Sequence, residues 1–294
     1  MIVVTTPTGN IGSQVLRELV SSDEPIRVIA RDPGRLTPAT RERVEVVPGS
    51  HSDSAVVNKA FAGADSVFWL VPPDPRAATV EAAYIDFTRP ASQAFRAQGV
   101  KRVVGISALG RGTPWASKAG LASVSLAMDD LIASSGVSYR PLTMPSFMDN
   151  VLRQAESITK DGVFSLPING DRKLPSVATC DIASAAAVRL RDHSWNGVAS
   201  APVLGPEDLS YNDMARILSD VLGRPVRFEQ ISNEAYKARL LARGMSDAMA
   251  QGNVDMWIAK GNGIDNAVNR TPESSTPTTF RDWASQVLKA RVAP

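Results

Sequence analysis

The segment TTPTGNIG, which begins at Thr5, has the residue types of a dinucleotide-binding turn with one glycine missing. It follows a short β-branched run and precedes a stretch in which apolar residues recur with helical spacing. Thr6 stands where the fingerprint has its first glycine, and Pro7 has no backbone N–H to offer to a phosphate. Gly9 would let the backbone approach a pyrophosphate, and Gly12 would allow close contact between helix and strand.

Backbone N–H groups and a threonine hydroxyl would have to hold the pyrophosphate in this segment. The residues expected to contact a dinucleotide here are Thr6, Thr8, Gly9, Asn10, Ile11 and Gly12. The alternative is a tight strand-to-helix connection that binds nothing. The position of the turn after the first strand of an alternating pattern favours the cofactor.

A second chemical signal is Arg31, which follows the predicted second strand. An acidic residue at this position binds the ribose 2′-hydroxyl of NAD, whereas an arginine suits the 2′-phosphate of NADP. Arg35 lies one short turn further along the chain. The alternative is a surface charge paired with Asp32. The sequence therefore favours NADP(H) over NAD(H).

Composition excludes several other classes of function. The chain has 294 residues, of which 44% are hydrophobic, and a formal net charge of +2, which gives no basic stripe for nucleic acid. The single cysteine, Cys180, excludes an intramolecular disulfide framework and a metal site with two thiolates, and the presence of two histidines alone argues against a catalytic metal. We expect Cys180 to be buried. Without a signal-like N-terminus or a long apolar run, the sequence predicts a cytoplasmic protein that does not enter a membrane.

The elements that must position these residues form an alternating pattern. Short apolar runs alternate with helical patterns, at residues 2–4, 26–30, 44–47, 67–71, 103–106 and from 137 to about 142. Strands that are apolar on both faces predict an α/β fold with a doubly wound parallel sheet of the Rossmann type. The loops that follow the strands then lie at one edge and hold the site.

The regular alternation of predicted strands and helices ends in the second half of the chain. We expect an NAD(P)-binding domain over residues 1–150, to which segments near 176–205 return, and a smaller α/β substrate-side region over 151–294. Residues 162–167 and 169–173 suggest a hairpin, and residues 181–190 an alanine-rich helix. The pattern also predicts helices at 211–222, 233–243 and 280–288, a strand near 226–228 and a loop over 262–277.

Several motifs resemble the NmrA-like group of atypical short-chain dehydrogenases. They are VTTPTGNIG at 4–12, VIARDP at 28–33, AGADSVF at 62–68, SALG at 107–110, SGV at 135–137, PSFMDN at 145–150, GVF at 162–164, CDIA at 180–183 and PTTF at 277–280. That group contains NADPH-dependent reductases of quinones and related acceptors, and also regulators that bind the dinucleotide without turning it over. Departures from its pattern are Thr6-Pro7 in place of Gly-Ala, Met144 in place of an arginine, and Ser125 in place of a histidine before Asp129.

The resemblance implies further cofactor contacts. They are Ser50 and His51 on the adenine side, Val71, Pro72 and Pro73 beside the nicotinamide ribose, and Ser107 and Lys118. For His51 the alternative is a simply exposed side chain. The same resemblance brings aromatic and sulfur side chains to the cofactor edge as a site for the acceptor, namely Trp115, Phe147, Met148 and Trp257, with Asn150 as a polar group. Ordinary core packing is the alternative for each of them.

The usual base of short-chain dehydrogenases is absent from the sequence. None of the four tyrosines is followed by a lysine four positions later. Lys118 is the substitute proton donor, with a solvated lysine as the alternative. Hydride transfer to a quinone demands less, because the cofactor supplies the reducing power.

These observations predict an NADP(H)-dependent oxidoreductase that passes hydride to a small planar acceptor such as a quinone. The alternative is a non-catalytic redox sensor that binds the cofactor and a protein partner. A sugar-nucleotide epimerase or dehydratase is disfavoured because those enzymes normally need the missing tyrosine. We expect a small-molecule acceptor, no nucleic acid and no membrane as partners, and the sequence leaves a homodimer open.

Overall fold

A computed structural model describes residues 1–292 of the chain. The chain forms two compact units. Unit 1 contains residues 1–107, 124–143 and 182–201, and unit 2 contains residues 108–123, 144–181 and the chain from 202 onward. The backbone thus passes between the units several times and does not divide at one position near residue 150.

The strands of the described chain are β1 (Ile2–Thr5), β2 (Ile26–Ala30), β3 (Glu45–Pro48), β4 (Ser66–Trp69), β5 (Arg102–Ala108), β6 (Ser138–Met144), β7 (Ser146–Phe147), β8 (Val163–Leu166), β9 (Leu174–Val177), β10 (Ala201–Pro202), β11 (Asp208–Leu209) and β12 (Arg227–Gln230). The α-helices are α1 (Asn10–Val20), α2 (Pro38–Arg43), α3 (Ser54–Phe61), α4 (Phe87–Ala97), α5 (Leu121–Ala133), α6 (Ala155–Asp161), α7 (Thr179–Arg191), α8 (Tyr211–Leu222), α9 (Asn233–Ala242), α10 (Asp247–Gly261), α11 (Phe280–Trp283) and α12 (Lys289–Val292). Shorter 3₁₀ segments span Pro33–Arg35, Met148–Gln154 and Ile264–Asn266, and π-helical segments span Ala82–Asp86 and Ala284–Leu288.

The central sheet has seven strands in the order β10-β6-β5-β4-β1-β2-β3. β1 pairs in parallel with β2, where Ile2 faces Ile26, and with β4, where Val3 faces Val67. β1, β2 and β4 are buried along their whole length, as expected for a sheet covered on both faces. The doubly wound parallel sheet is confirmed. Its strand order reverses between β1 and β4, and in such sheets ligands bind at the carboxyl ends of the strands beside that point.

The core of unit 1 is largely aromatic and β-branched. Phe61 of α3 stacks on Phe95 of α4 at 5.0 Å between ring centroids, and Trp69 of β4 meets Phe95 edge to face. Val3 of β1 and Val103 of β5, the strands on either side of β4, belong to the same buried cluster. This packing holds β1, β4 and β5 in place, so that the loops which follow them start from rigid strand ends.

Unit 2 contains two small sheets. β9 pairs antiparallel with β11 and parallel with β7, and β8 pairs in parallel with β12. The predicted hairpin is therefore wrong, because β8 and β9 belong to different sheets. Each of them pairs with strands that are distant from it in the sequence. Helix α10 was not predicted from the sequence, whereas helix α8 lies where the pattern placed it. Within residues 1–292 no helix is both long and apolar enough to cross a membrane.

Candidate cofactor-binding site

The turn between β1 and α1 has a strained residue at its centre. Thr6 has a φ of 51°, and it is the one residue other than glycine in the described chain with a positive φ. The N–H of Gly9 donates to the carbonyl oxygen of Thr6 at 2.9 Å and closes the turn. A Cβ on Gly12 would lie 2.1 Å from that same oxygen. The left-handed conformation costs a threonine about 1–2 kcal/mol. Position 12 requires glycine because its backbone lies so close to the carbonyl oxygen of Thr6.

Gly9 is not required by the packing of the chain itself. It is the N-cap of α1 in an extended conformation, and no side chain caps that end of the helix. A Cβ on Gly9 would have its nearest neighbour at 3.4 Å, an ordinary contact. The helix N-terminus therefore faces open space, with oriented N–H groups suited to a pyrophosphate. The buried hydroxyl of Thr6 has no hydrogen-bond partner among the described residues.

Arg31 follows β2 directly and its side chain is exposed. Asp32, its predicted alternative partner, instead accepts a hydrogen bond from the N–H of Gly34 at 2.9 Å and caps the next turn. Arg31 forms no ion pair with any residue from 1 to 292. Arg35 is likewise exposed at the end of that turn. Both guanidinium groups are therefore available to a 2′-phosphate.

His51 is buried, and the alternative that it is simply exposed is wrong. The residue is 6% exposed, and its ring lies edge-on to Trp69 and Phe87. Nε2 donates to the carbonyl oxygen of Leu70 at 3.0 Å, which ties the loop after β3 to the end of β4. Burial, and secondarily the charge of Arg31, lowers the pKa of His51 to about 4, so the ring is neutral at pH 7. The neighbouring Ser50 hydroxyl lies 2.8 Å from that of Ser52.

The segment after β4 is irregular, as the sequence predicted for a loop beside the cofactor. Val71 is buried, Pro72 is exposed and Pro73 is half-buried. The hydroxyl of Thr5, at the end of β1, donates to the carbonyl oxygen of Phe68 at 2.9 Å and accepts from the N–H of Leu70 at 3.1 Å. This pair of hydrogen bonds fixes the start of the proline segment to the strand that leads into the glycine turn.

Ser107 lies inside β5 and its hydroxyl is used within unit 1. It donates to Oδ2 of Asp129 at 2.5 Å, and the hydroxyl of Tyr139 donates to Oδ1 of the same carboxylate at 2.7 Å. Asp129 is 3% exposed. Gly105 leaves the space for the phenol, since a Cβ there would lie 2.3 Å from the Tyr139 hydroxyl oxygen. Any contact of Ser107 with a cofactor would therefore come from its backbone.

This buried network was missed from the sequence. The sequence signals for this network were the adjacent aspartates at 129 and 130 in the largely apolar α5, and a glycine inside β5. Ser125, one turn before Asp129, is also buried, so the position of the missing histidine faces the interior. The network ties β5, α5 and β6 together within unit 1.

The residues predicted to contact an acceptor lie in unit 2. Lys118 is exposed in the run of turns before α5, and it forms no ion pair with the residues described. Trp115, in the same run, is half-buried against a small apolar cluster that includes Ile264. Phe147 is half-buried in β7, where its backbone pairs with Val177 of β9. Asn150 is half-buried in the 3₁₀ segment that follows.

Two of the predicted acceptor residues are core residues. Met148 is 1% exposed and belongs to the main apolar cluster of unit 2. Trp257 is 6% exposed in the same cluster, and its indole N–H donates to the hydroxyl of Tyr236 at 3.1 Å. Their assignment to loop mouths is wrong, because the 3₁₀ segment turns Met148 inward and the unpredicted helix α10 carries Trp257 into the core.

Cys180 is exposed, contrary to expectation. It lies in the first turn of α7, where its Sγ is 3.7 Å from the hydroxyl of Thr278. The adjacent Asp181 is buried, and its carboxylate accepts from the N–H and the hydroxyl of Thr278. Residues 1–292 contain no group of three or more histidine, cysteine or acidic side chains placed to hold a metal ion.

A model of a family described as NAD(P)H-binding matches residues 7–190, which include Gly9, Gly12, Arg31 and strands β2–β6. The chain belongs to this NAD(P)H-binding family. Its cofactor is therefore NAD(P)H, in agreement with the resemblance to NmrA-like dehydrogenases. The uncapped α1 terminus, the open space at Gly9 and the free guanidinium of Arg31 fit such a dinucleotide.

Relatives of this NAD(P)H-binding chain include reductases. It is 32% identical over 294 residues to a (4-alkanoyl-5-oxo-2,5-dihydrofuran-3-yl)methyl phosphate reductase of Streptomyces griseus, covering 99% of both chains. It is 28% identical over 257 residues to an NAD(P)H azoreductase of Xenophilus azovorans, covering 87% of this chain and 86% of the relative. The fold matches that of an NADPH-dependent quinone oxidoreductase from Escherichia coli complexed with NADPH, with a TM-score of 0.78, 23% identity, and coverage of 98% and 99% of the two chains.

Proposed function

We propose that the protein is an NADP(H)-dependent reductase that passes hydride to a small, planar, electron-poor acceptor such as a quinone. The observation that carries this proposal is the arrangement at the carboxyl ends of β1 and β2. There the helix α1 begins without a cap beside Gly9, and Arg31 lies exposed with no acidic partner in the described chain. Together they offer a site for a pyrophosphate and for a 2′-phosphate.

Different residues of unit 1 contact different parts of the cofactor. The hydroxyl of Thr8 and the N–H groups of residues 9–12 bind the pyrophosphate, and the guanidinium groups of Arg31 and Arg35 bind the 2′-phosphate. Ser50 lies on the adenine side, where the neutral ring of His51 holds its loop against Leu70. When bound, the dihydronicotinamide supplies the hydride.

Two further contacts of unit 1 concern the nicotinamide half. The segment Val71, Pro72 and Pro73 contacts the ribose next to the nicotinamide, and the backbone of Ser107 lies on the same side. Neither segment needs a charged side chain for this role. Their contribution is to orient the ring and to exclude water from it.

The acceptor side of the proposal rests on unit 2. Phe147 and Trp115 stack on and orient a flat acceptor, Asn150 offers a polar contact, and Met148 supports Phe147 from the core. Lys118 donates a proton to the reduced acceptor where the acceptor needs one. The relatives support a conjugated acceptor, because one is named as an azoreductase and another as the reductase of an unsaturated lactone that carries a methyl phosphate.

A redox sensor is the second candidate function. The observation that favours it is the lack of a positioned base, because no tyrosine precedes a lysine by four residues and the side chain of Lys118 is exposed. A sensor would bind NADPH and turn over no acceptor. A sensor would also act through a protein partner, whereas the reductase acts on a small molecule.

Titration with NADPH and NADH, followed by NADPH consumption across quinones, azo compounds and conjugated carbonyls, tests the proposal. We expect tighter binding of NADPH and turnover of at least one planar acceptor. Tight binding without turnover across the whole panel would favour the sensor, and no binding would contradict both. A cytoplasmic location and a homodimer stay predictions, which cell fractionation and sedimentation would test.

A further inference from the structure

Unit 2 has three arginines without acidic partners on or next to two elements, one of which also holds Tyr236. Tyr236 and Arg239 lie one turn apart on α9, and Arg243 is the C-cap residue that ends this helix. Arg153 comes from the 3₁₀ segment Met148–Gln154 and lies close enough to the Tyr236 phenol to act on it electrostatically, as does Arg243. We call Arg153, Tyr236, Arg239 and Arg243 the arginine cluster.

Hydrogen bonds bring the two elements of the cluster together at Ser165 of β8. The hydroxyl of Ser165 accepts from Arg239 at 2.6 Å, and its N–H donates to Oε1 of Gln154, the neighbour of Arg153, at 2.9 Å. The Tyr236 ring packs on the apolar cluster that contains Met148. The arginine cluster therefore lies on the same 3₁₀ segment, and on the same core, as the residues proposed for the acceptor.

The cluster has an excess of positive charge. Arg153, Arg239 and Arg243 are exposed and form no ion pair with any described residue. The nearby Lys237 and Asp247 neutralise each other at 2.7 Å. No acidic side chain among the described residues is therefore paired with these guanidinium groups in place of an anionic ligand.

Tyr236 adds a neutral donor to this group. Its hydroxyl oxygen accepts the indole N–H of Trp257 at 3.1 Å, which leaves the phenolic proton to donate elsewhere. Burial raises the pKa of Tyr236, so the phenol keeps that proton at neutral pH. Three guanidinium groups and a phenol offer more donors than the two oxygens of a carboxylate can use, and they suit the three oxygens of a phosphate monoester.

We propose that the arginine cluster binds the phosphate group of a phosphomonoester acceptor. This assignment rests on the proposed reductase function and names the substrate class within it. The reducible part of the acceptor is the conjugated system, and the phosphate is a handle that does not react. Binding energy from such a remote group holds the reacting part in place.

A matched pair of acceptors tests the assignment, namely an unsaturated lactone that carries a hydroxymethyl group and its phosphate ester. We expect kcat/KM to be about tenfold higher or more for the ester, as for a pair of charge-assisted hydrogen bonds. Replacing both Arg153 and Arg243 by alanine should bring this ratio close to 1. Arg281→Ala is the control with one fewer surface charge, since its guanidinium is already paired with Asp220 at 2.8 Å and should leave the ratio unchanged. An equal kcat/KM for the two wild-type acceptors would overturn the proposal.

Equilibrium binding of phenyl phosphate to the NADP⁺-saturated protein separates this inference from the reductase function. We expect the double variant to weaken phenyl phosphate about tenfold or more and Arg281→Ala to leave its binding unchanged. Weakening in the double variant would support the phosphate site even if no acceptor were reduced. Unchanged binding in the double variant, or inorganic phosphate binding as tightly as phenyl phosphate, would contradict a subsite for an acceptor ester.

Discussion

The α-carbon of Gly12 lies so close to the carbonyl oxygen of Thr6 that an added Cβ would stand 2.1 Å from it. Because that oxygen also accepts the N–H of Gly9, it cannot move without opening the turn. We therefore expect Gly12→Ala to lower the free energy of unfolding by about 1–3 kcal/mol, the usual cost of overpacking. Thr6→Gly should act in the opposite direction and raise it by about 1 kcal/mol, because it removes the left-handed strain and an unpaired buried hydroxyl. Urea unfolding of both variants tests the pair, and a destabilised Thr6→Gly protein would show that the turn is not strained.

Gly9→Val should abolish dinucleotide binding and keep the fold. The backbone of Gly9 is extended and a Cβ there meets only ordinary contacts, so the structure tolerates the side chain. A β-branched group would, however, fill the space in front of the α1 terminus. Circular dichroism checks the fold, and titration with NADPH checks the binding. A folded variant that binds NADPH like the wild type would show that this segment is a turn with no role in dinucleotide binding.

Arg31→Asp should reverse the preference for NADPH. The variant loses a charge-assisted contact to the 2′-phosphate and adds repulsion, a loss of about 2 kcal/mol or more in NADPH binding. NADH binding should change little or improve. Arg41→Asp is the matched control, since this exposed arginine of α2 changes the net charge equally. If wild-type protein binds the two dinucleotides equally well, Arg31 has no role in recognising the 2′-phosphate.

His51 should make the folded state sensitive to acid. Its pKa is lowered from 6.5 to about 4, so between these values the unfolded chain binds a proton that the folded chain does not. Stability contributed by the neutral ring is complete above pH 6.5 and is lost as the pH falls towards 4, by about 3 kcal/mol in all. Denaturant unfolding between pH 4 and pH 7 should show this slope in the wild type and a much smaller one in His51→Gln. Equal slopes would mean that groups other than His51 determine how stability changes between pH 4 and pH 7.

The sequence was sufficient for the sheet and for the glycine turn because their signals are local. Ile2–Thr5 and Ile26–Ala30 are short, mainly apolar runs that are buried throughout, and the glycines stand in a short motif directly after the first run. The environment of His51 could not be predicted in this way. Its burial depends on Trp69 and Phe87, which reach it from other elements of unit 1.

Unit 2 was harder to predict because its pairing is non-local. β8 pairs with β12, more than sixty residues away, so the neighbouring β9 could be mistaken for its hairpin partner. Helix α10 is nearly as apolar on one side as on the other, which removed the periodic signal that would have placed Trp257 in the core. The arginine cluster combines a 3₁₀ segment with α9, and nothing in either segment alone predicts it.

Rapid-mixing measurement of NADPH oxidation is the most direct test of the reductase function. The wild-type protein with bound NADPH is mixed with quinones and conjugated lactones, in parallel with Phe147→Ala and Lys118→Ala. We predict oxidation by at least one acceptor, a large loss of rate in Phe147→Ala because the acceptor is no longer oriented, and a smaller loss in Lys118→Ala. A loss near 10⁴-fold in Lys118→Ala, at the top of the range for general acid catalysis, would instead make that lysine the essential proton donor. Absence of NADPH oxidation by the wild-type protein with every acceptor would contradict the assignment as a reductase.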